Sequence, residues 1–230
     1  MDFVNACNCE LCVFRTLIFN NVSASEMGSM CENKQEAAYK KGQVIVNEGD
    51  EIKDFFYLKE GLVKIYKRIH NDKDQILSIA KSFDFVGMLT VFSDTHYHYS
   101  IAALEDSTVC YVKLDFIKNL IRKNGQFALD LLDKMSRTSD DIIKVKLDIS
   151  KKNLRGRIAY ILLFFSGKIY DDNIFDLPIS RKEIAELIDM TTENVIRILS
   201  EFRKDKMISI NGKTIEIINP EILRKICEVG

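Results

Sequence analysis

The stretch SRKEIAELIDMTTENVIRILSEFRK, residues 180–204, decides how the C-terminal third of the chain folds. Ser180 and Glu183 have capping-box spacing: the hydroxyl accepts from the Glu183 amide and the glutamate reaches back. The box opens a helix over Arg181–Ile188, with Ile184, Ala185, Leu187 and Ile188 turned inward. A tight turn at Asp189–Met190 follows. Thr191 then caps a second helix over about Thr192–Lys204, with Val195, Ile196, Leu199 and Phe202 as its apolar residues. Two short helices joined so closely form a helix-turn-helix. Beyond them, Asn211-Gly212 separates two β-type runs, Met207–Ile210 and Thr214–Ile218. Asn-Gly marks a hairpin because a two-residue turn needs positive φ. Helix-turn-helix plus hairpin reads as a winged helix.

Working backward, residues 154–166 read as another helix, broken at Gly167 and the polar turn Asp171-Asp172-Asn173. A longer helical stretch precedes it, roughly Leu114–Lys152. Within it Leu131, Met135, Ile142, Val145 and Ile149 recur at spacings of three, four and seven, beside Asp140, Asp141, Lys144 and Lys146. Such a column is a candidate dimer seam. Before it the period changes. Short β-rich runs occur at Gln43–Asn47, Phe55–Lys59, Leu62–Arg68, Gln75–Ala80, Ser100–Leu104 and Thr108–Val112, with turns at Gly42, Gly49, Gly61, Asn71-Asp72 and Gly87. That punctuation indicates an antiparallel jelly roll. The expected class is α+β: a cysteine-bearing lead-in over 1–34, a β-roll over 35–114, a dimerisation helix over 115–152 and a winged helix-turn-helix over 153–230. The lead-in is read as helical from residue 13, with a short helix ending near Cys31.

Composition narrows the classes further. The 230 residues are 47% hydrophobic and 29% charged, enough apolar material for a core without disulfide staples. The net charge of −1 excludes a strongly basic nucleic-acid-coating protein. From Lys151 onward the net charge is only +2. No apolar run approaches the ~18 residues of a membrane helix, and the opening MDFVNACNCELC lacks the regions of a secretory signal. The cytoplasm is the expected location, with no membrane partner.

In a helix-turn-helix the second helix enters the major groove with its N-terminal residues on base edges. Those are Thr192, Glu193, Asn194 and Arg197. An arginine fork fits guanine O6 and N7, and a glutamate accepts from cytosine N4. The alternative reading makes the same two side chains no more than an exposed i,i+4 ion pair. Arg203, Lys204, Lys206 and the wing residue Lys213 are candidates for phosphate contacts, which position the protein without reading sequence.

Six cysteines stand at 7, 9, 12, 31, 110 and 227. Stable disulfides are not expected in a cytosolic chain of this size. Cys9 and Cys12 form a C-x-x-C with Cys7 just before it, a spacing that lets thiolates share one metal centre. The other ligands must come from a distance, and Cys31 and Cys110 are candidates. Cys110, in the run Ser107–Val112, also fits a buried strand cysteine, and Cys227 carries no signal.

Roll, long helix and winged helix in this order resemble the CRP/FNR family of bacterial transcription regulators over about residues 35–225. The resemblance rests on KGQVIVNEGD at 41–50, LKEGLVK at 58–64 and TTENVIR at 191–197. It implies a homodimer on a two-fold-symmetric operator in double-stranded DNA, acting with RNA polymerase, and no enzyme activity. It sets Glu193 and Arg197 in the family's recognition helix. Where the FNR branch has a serine directly before that arginine, this chain has Ile196. Family members that bind cyclic nucleotides use a glutamate after a turn glycine and an Arg-Ser pair. Here Met88 follows Gly87 and Tyr99 precedes Ser100. A phosphate buried without a cation is heavily penalised, so no cAMP binding is expected. The FNR branch instead resembles this chain in its N-terminal cysteines plus one strand cysteine. That implies an iron–sulfur cluster of the 4Fe-4S type, sensing oxygen, nitric oxide or redox state. Cys9, Cys12, Cys31 and Cys110 would be its ligands, with Cys7 able to replace Cys31. In FNR a charged residue of the dimer helix couples cluster loss to monomerisation, and its place here is Ile142.

Other readings keep the scaffold and change the effector to haem, a thiol-redox switch or none. Haem needs an axial histidine, from His70, His96 and His98 alone. A cupin-like metal enzyme would use the alternating pair His96 and His98, but no third histidine accompanies it. A serine hydrolase lacks its nucleophile elbow, G-x-S-x-G.

Overall fold

The structure, a computed structural model, describes residues 3–4, 19–69 and 73–230. The chain divides into two compact units, residues 1–67 with 77–142, and residues 68–76 with 143–230.

The first unit is the roll. One sheet has the order β1 (Phe3–Val4), β2 (Lys34–Tyr39), β8 (Ser107–Lys113), β4 (Asp54–Glu60). The other has the order β3 (Val44–Val46), β7 (Ser100–Ala103), β5 (Leu62–Ile69), β6 (Lys73–Lys81). The resolved registers in both are antiparallel. Gly61 makes the β4–β5 turn at φ +98°, where a Cβ would lie 2.3 Å from Ser107 Oγ and 2.6 Å from the Asp106 carbonyl. Only glycine fits such a corner. The core runs through Phe55, Phe56, Leu58, Val63, Ile101, Val109 and Val112, all at most 2% exposed. Helix α1 (Ala24–Glu32) starts at Ser23 in a complete capping box with Glu26 and buries Met27 and Met30.

Strand β2 is absent from the sequence reading, whose first β-rich run is Gln43–Asn47. KQEAAY alternates no apolar residues, and both of its charges, Lys34 and Glu36, are buried. Pairing to β8 over six residues outweighs that local preference. The lead-in also adds β1 to the sheet, with Phe3 opposite Ala37 and Val4 opposite Glu36.

The expected single helix over 115–152 is two, α2 (Leu114–Lys123) and α3 (Gly125–Ser150). At the break, Asn124 Oδ1 accepts from Phe127 N and its amide donates to Asn21 O. At 26 residues, α3 extends about 39 Å. The residues of the expected seam column have different surroundings. Leu131 is 2% exposed in the protomer's own core, Met135 packs against that core, and Ile149 is 4% exposed. Ile142 and Val145 are half-buried. A different column faces outward: Leu129, Leu132, Ile143 and Leu147, each more than half exposed, with exposed Ser136 and Asp140 between them. A helix that serves both a core and an outer face needs two apolar columns, and the stronger one fills the core.

The second unit carries the winged helix. Helix α4 (Leu154–Leu163) runs on into a π-helical turn, Phe164–Tyr170, in place of the break expected at Gly167. Strand β9 (Ile174–Asp176) joins β10 (Ile208–Asn211) and β11 (Thr214–Ile217) in the order β10-β11-β9. Helices α5 (Arg181–Ile188) and α6 (Thr192–Lys204) keep the expected bounds. Helix α7 (Pro220–Val229), with proline in its first turn, and strand β9 had no place in the sequence reading. The wing turn lies one residue later than expected. Asn211 pairs with Thr214, so Gly212-Lys213 is the loop, and only Gly212 takes positive φ. Glycine first is the II′ pattern.

Candidate nucleic-acid interface and sensor site

The turn between α5 and α6 is built by short-range bonds. Ser180 Oγ accepts from Glu183 N at 3.2 Å, and Glu183 Oε2 accepts from Ser180 N at 2.8 Å. Asp189 ends α5 in a left-handed conformation at φ +53°. Arg157 of α4 donates to the Ile188 and Asp189 carbonyls at 3.0 and 2.9 Å, and Lys146 donates to the Leu187 carbonyl at 3.4 Å. Cations at a helix C-terminus satisfy carbonyls that have no partner within the helix. Burial holds the Lys146 ammonium below the usual lysine range.

Helix α6 begins at Thr191, whose hydroxyl accepts from Asn194 N at 3.3 Å. One face, Val195, Ile198, Leu199 and Phe202, is buried at 2% exposure or less. Ile196 is not part of it; it is 51% exposed, and Ile198 takes the core position. Glu193 and Arg197 are exposed on the outer face, and Thr192 and Asn194 flank them half-buried. Among the described residues Arg197 pairs with Glu201 and not with Glu193, so the alternative ion pair is not formed. Glu193's own backbone N–H and the Thr191 hydroxyl hold its carboxylate below the usual range. Arg197 donates to Glu201 Oε1 at 2.5 Å and to Asn194 Oδ1 at 3.4 Å. Glu201 Oε2 in turn accepts from Arg155 of α4 at 2.6 Å, and Arg155 lies over the Phe202 ring at 4.9 Å. Guanidinium carries five donors, so Arg197 keeps three after these two bonds. Arg203, Lys204, Lys206 and Lys213 are exposed. The sequence reading missed Glu201 and Arg155. Their i+4 spacing from Arg197 was visible only for Glu201.

In the roll, cross-strand register assembles a polar group around Cys110. Glu36 and Tyr57 are both register partners of Cys110, so the three share one face. Cys110, at 0% exposure, donates its S–H to Glu36 Oε1 at 3.2 Å. Lys34 lies 2.9 Å from that oxygen and Lys59 3.0 Å from Glu36 Oε2. Burial pushes the Cys110 thiol up to about 12. Cys31 is half-buried at the end of α1. Cys7, Cys9 and Cys12 lie outside the described residues, as does His70. Among the described residues no group of three or more His, Cys, Asp or Glu could hold a metal ion. His98 instead bonds Asp94 at 2.8 Å, and His96 Nδ1 shares a 2.9 Å hydrogen bond with the Thr95 hydroxyl.

The opposite face of that sheet is aromatic. Phe56 packs on Tyr97 and Tyr111, and the Tyr39 and Tyr111 hydroxyls are 2.6 Å apart. Met88 and Tyr99 are buried, and a Cβ on Gly87 would meet the Phe56 ring at 2.9 Å.

An antiparallel roll followed by a long helix and a winged helix defines a DNA-binding transcription regulator. Residues 36–124 match the family model described as the cyclic nucleotide-binding domain, and residues 156–226 match the Crp-like helix-turn-helix domain. The chain belongs to the CRP/FNR family of transcription regulators. It is 27% identical over 225 residues to the fumarate and nitrate reduction regulatory protein of Vibrio cholerae, covering 96% of this chain and 88% of that one. It is 26% identical over 222 residues to the transcriptional activator protein Anr of Pseudomonas protegens, covering 94% and 91%. Its fold is similar to FixK2 from Bradyrhizobium japonicum, with TM-score 0.75, 22% identity and coverage of 84% and 96%. It is similar too to TTHA1359, a CRP/FNR family transcriptional regulator from Thermus thermophilus, with TM-score 0.70, 18% identity and coverage of 84% and 98%. Its relatives are regulators, which removes the cupin-like enzyme reading. Among the described residues no helix is long and apolar enough to cross a membrane.

Proposed function

We propose that the chain is a cytoplasmic, homodimeric regulator that reads a two-fold-symmetric operator and acts with RNA polymerase. The observation that carries this is the capped helix α6, with Glu193 and Arg197 on its outer face and Arg197 held by Glu201. The outward column Leu129–Leu132–Ile143–Leu147 of α3 supports the dimer, because a second copy buries it by the same heptad-like repeat. Arg203, Lys204 and Lys213 hold phosphates. Selection from random duplex DNA tests the reading. Enriched two-fold-symmetric sites are expected, and enrichment of nothing contradicts it.

The roll, on this proposal, holds an iron–sulfur cluster through Cys110 and N-terminal cysteines, and binds no cAMP. Two features support it. Val4 lies in one cross-strand row with Glu36 and Cys110, so the strand leading into Cys7, Cys9 and Cys12 ends two strand spacings, ~10 Å, from Cys110. The second is Lys34, 2.9 Å from Glu36 Oε1, whose charge opposes the burial that keeps Cys110 a thiol and so works toward the thiolate a metal needs. A bound cluster would supply reactivity toward oxygen or nitric oxide. Against cAMP stands the buried Tyr99, where a phosphate-binding cation would be required. The visible spectrum of anaerobically purified protein tests the cluster. A broad sulfur-to-iron band that bleaches in air and is missing in Cys110→Ser is expected. Colourless, iron-free protein contradicts it, and a sharp Soret band would turn the assignment to haem.

A further inference from the structure

On the DNA-binding reading, we infer that Ile196 is a specificity-determining residue that reads the 5-methyl group of a thymine in the operator. Three observations carry it. Ile196 is 51% exposed in the middle of α6, while every other large apolar residue of that helix is at most 2% exposed. The protomer therefore gains little packing from it. Its neighbours on the outer face are Glu193 and Ser200, at helical spacings of three and four, and the exposed Arg197 follows it in the chain. Finally, those neighbours have hydrogen-bond partners. Arg197 is held by Glu201 and Asn194, Glu193 by the helix start, and the Ser200 hydroxyl donates to the Ile196 carbonyl at 2.9 Å.

The outer face therefore presents one apolar side chain framed by oriented polar ones. The major groove displays one apolar group on its base edges, the thymine methyl. A recognition helix that places Arg197 on a guanine brings the adjoining Ile196 onto a neighbouring base pair. Contact between the isoleucine and the methyl removes both from water without breaking a hydrogen bond. Cytosine at that position presents an amino donor, which Ile196 cannot satisfy. The base beside the arginine-read guanine is therefore specified as thymine, by a residue that adds nothing to phosphate binding.

Replacing thymidine by deoxyuridine removes only this methyl and tests the inference directly. The selected operator is synthesised with each thymine changed in turn, and binding of the full-length dimer is measured at fixed salt. One position per half-site is expected to weaken binding about fourfold, the worth of one buried apolar carbon. Substitution in both half-sites should weaken it about 10- to 20-fold. Ile196→Ser should bind thymine and uracil sites equally, with an unchanged thermal midpoint and salt slope, whereas Ile196→Val should keep the discrimination. Wild-type protein indifferent to uracil at every position would overturn the inference while leaving operator reading intact. Failure to select any operator, or binding unaffected by Arg197→Ala, would instead overturn the reading on which it rests.

Discussion

The winged helix and the roll place their charges in opposite ways. In the winged helix the charges assigned to DNA lie on the surface and are fixed by neighbours three or four residues away, as Arg197 is by Glu201 and Asn194. In the roll, Glu36 is buried and accepts from Cys110, 74 residues distant, while lying against Lys34 and Lys59. One site is made by helical repeat, the other by strand register. Surface charges can be changed at little cost to folding. The buried group cannot, because its charges lie out of water and compensate one another.

Glu36→Gln should produce the largest effect. It removes the carboxylate that Lys34 and Lys59 both pair with and is expected to cost about 3–5 kcal/mol, read as a lower urea midpoint. A variant as stable as the parent would mean the two sites do not differ in kind.

The two columns of α3 sharpen the same contrast. Leu131→Ala should lose about 2–5 kcal/mol of stability as a core truncation. Leu132→Asp should leave a folded protomer of half the mass in size-exclusion light scattering, with little change in its own stability. If the roles reverse, the seam belongs to the column read from the sequence.

Alkaline pH should separate the units next. In the roll, burial is the chief cause that raises Cys110, Tyr39, Tyr97, Tyr99 and Tyr111 above their ordinary values. Groups whose neutral acid form is favoured on folding contribute stability below their unfolded pKa and lose it as pH rises through the folded value. The roll should weaken from about pH 9 upward. Near-ultraviolet tyrosine dichroism should therefore collapse before the helical signal of the winged helix, where burial also raises Tyr160. Simultaneous loss would refute the distinction.

Smallest is Ser180→Ala, expected to cost about 1 kcal/mol, or a few degrees in thermal midpoint, through loss of the α5 cap.

The same contrast explains what the sequence disclosed. The bounds of α5 and α6 could be read because Ser180, Glu183 and Thr191 act within one turn of their helices. Strand β2 could not, since KQEAAY has no strand pattern of its own and exists through its pairing with β8. The apolar column of α3 was visible, but which column faces the core depends on a roll surface that periodicity does not encode. Cys110 was legible as a strand cysteine; its contacts with Glu36 and Tyr57 were not, because register is a property of three strands together. At the DNA face, the 3.6-residue period puts Ile196 with Glu193 and Ser200, yet the sequence reading grouped it with Val195, Leu199 and Phe202 as apolar.

The central claim is that helix α6 reads DNA through Arg197. Its most direct test compares wild-type and Arg197→Ala proteins on a selected operator and on unrelated duplex at one salt concentration. A bidentate arginine–guanine contact predicts an operator affinity lowered about 5- to 150-fold, with binding to unrelated duplex and thermal stability nearly unchanged. Equal operator affinity for the two proteins would contradict it.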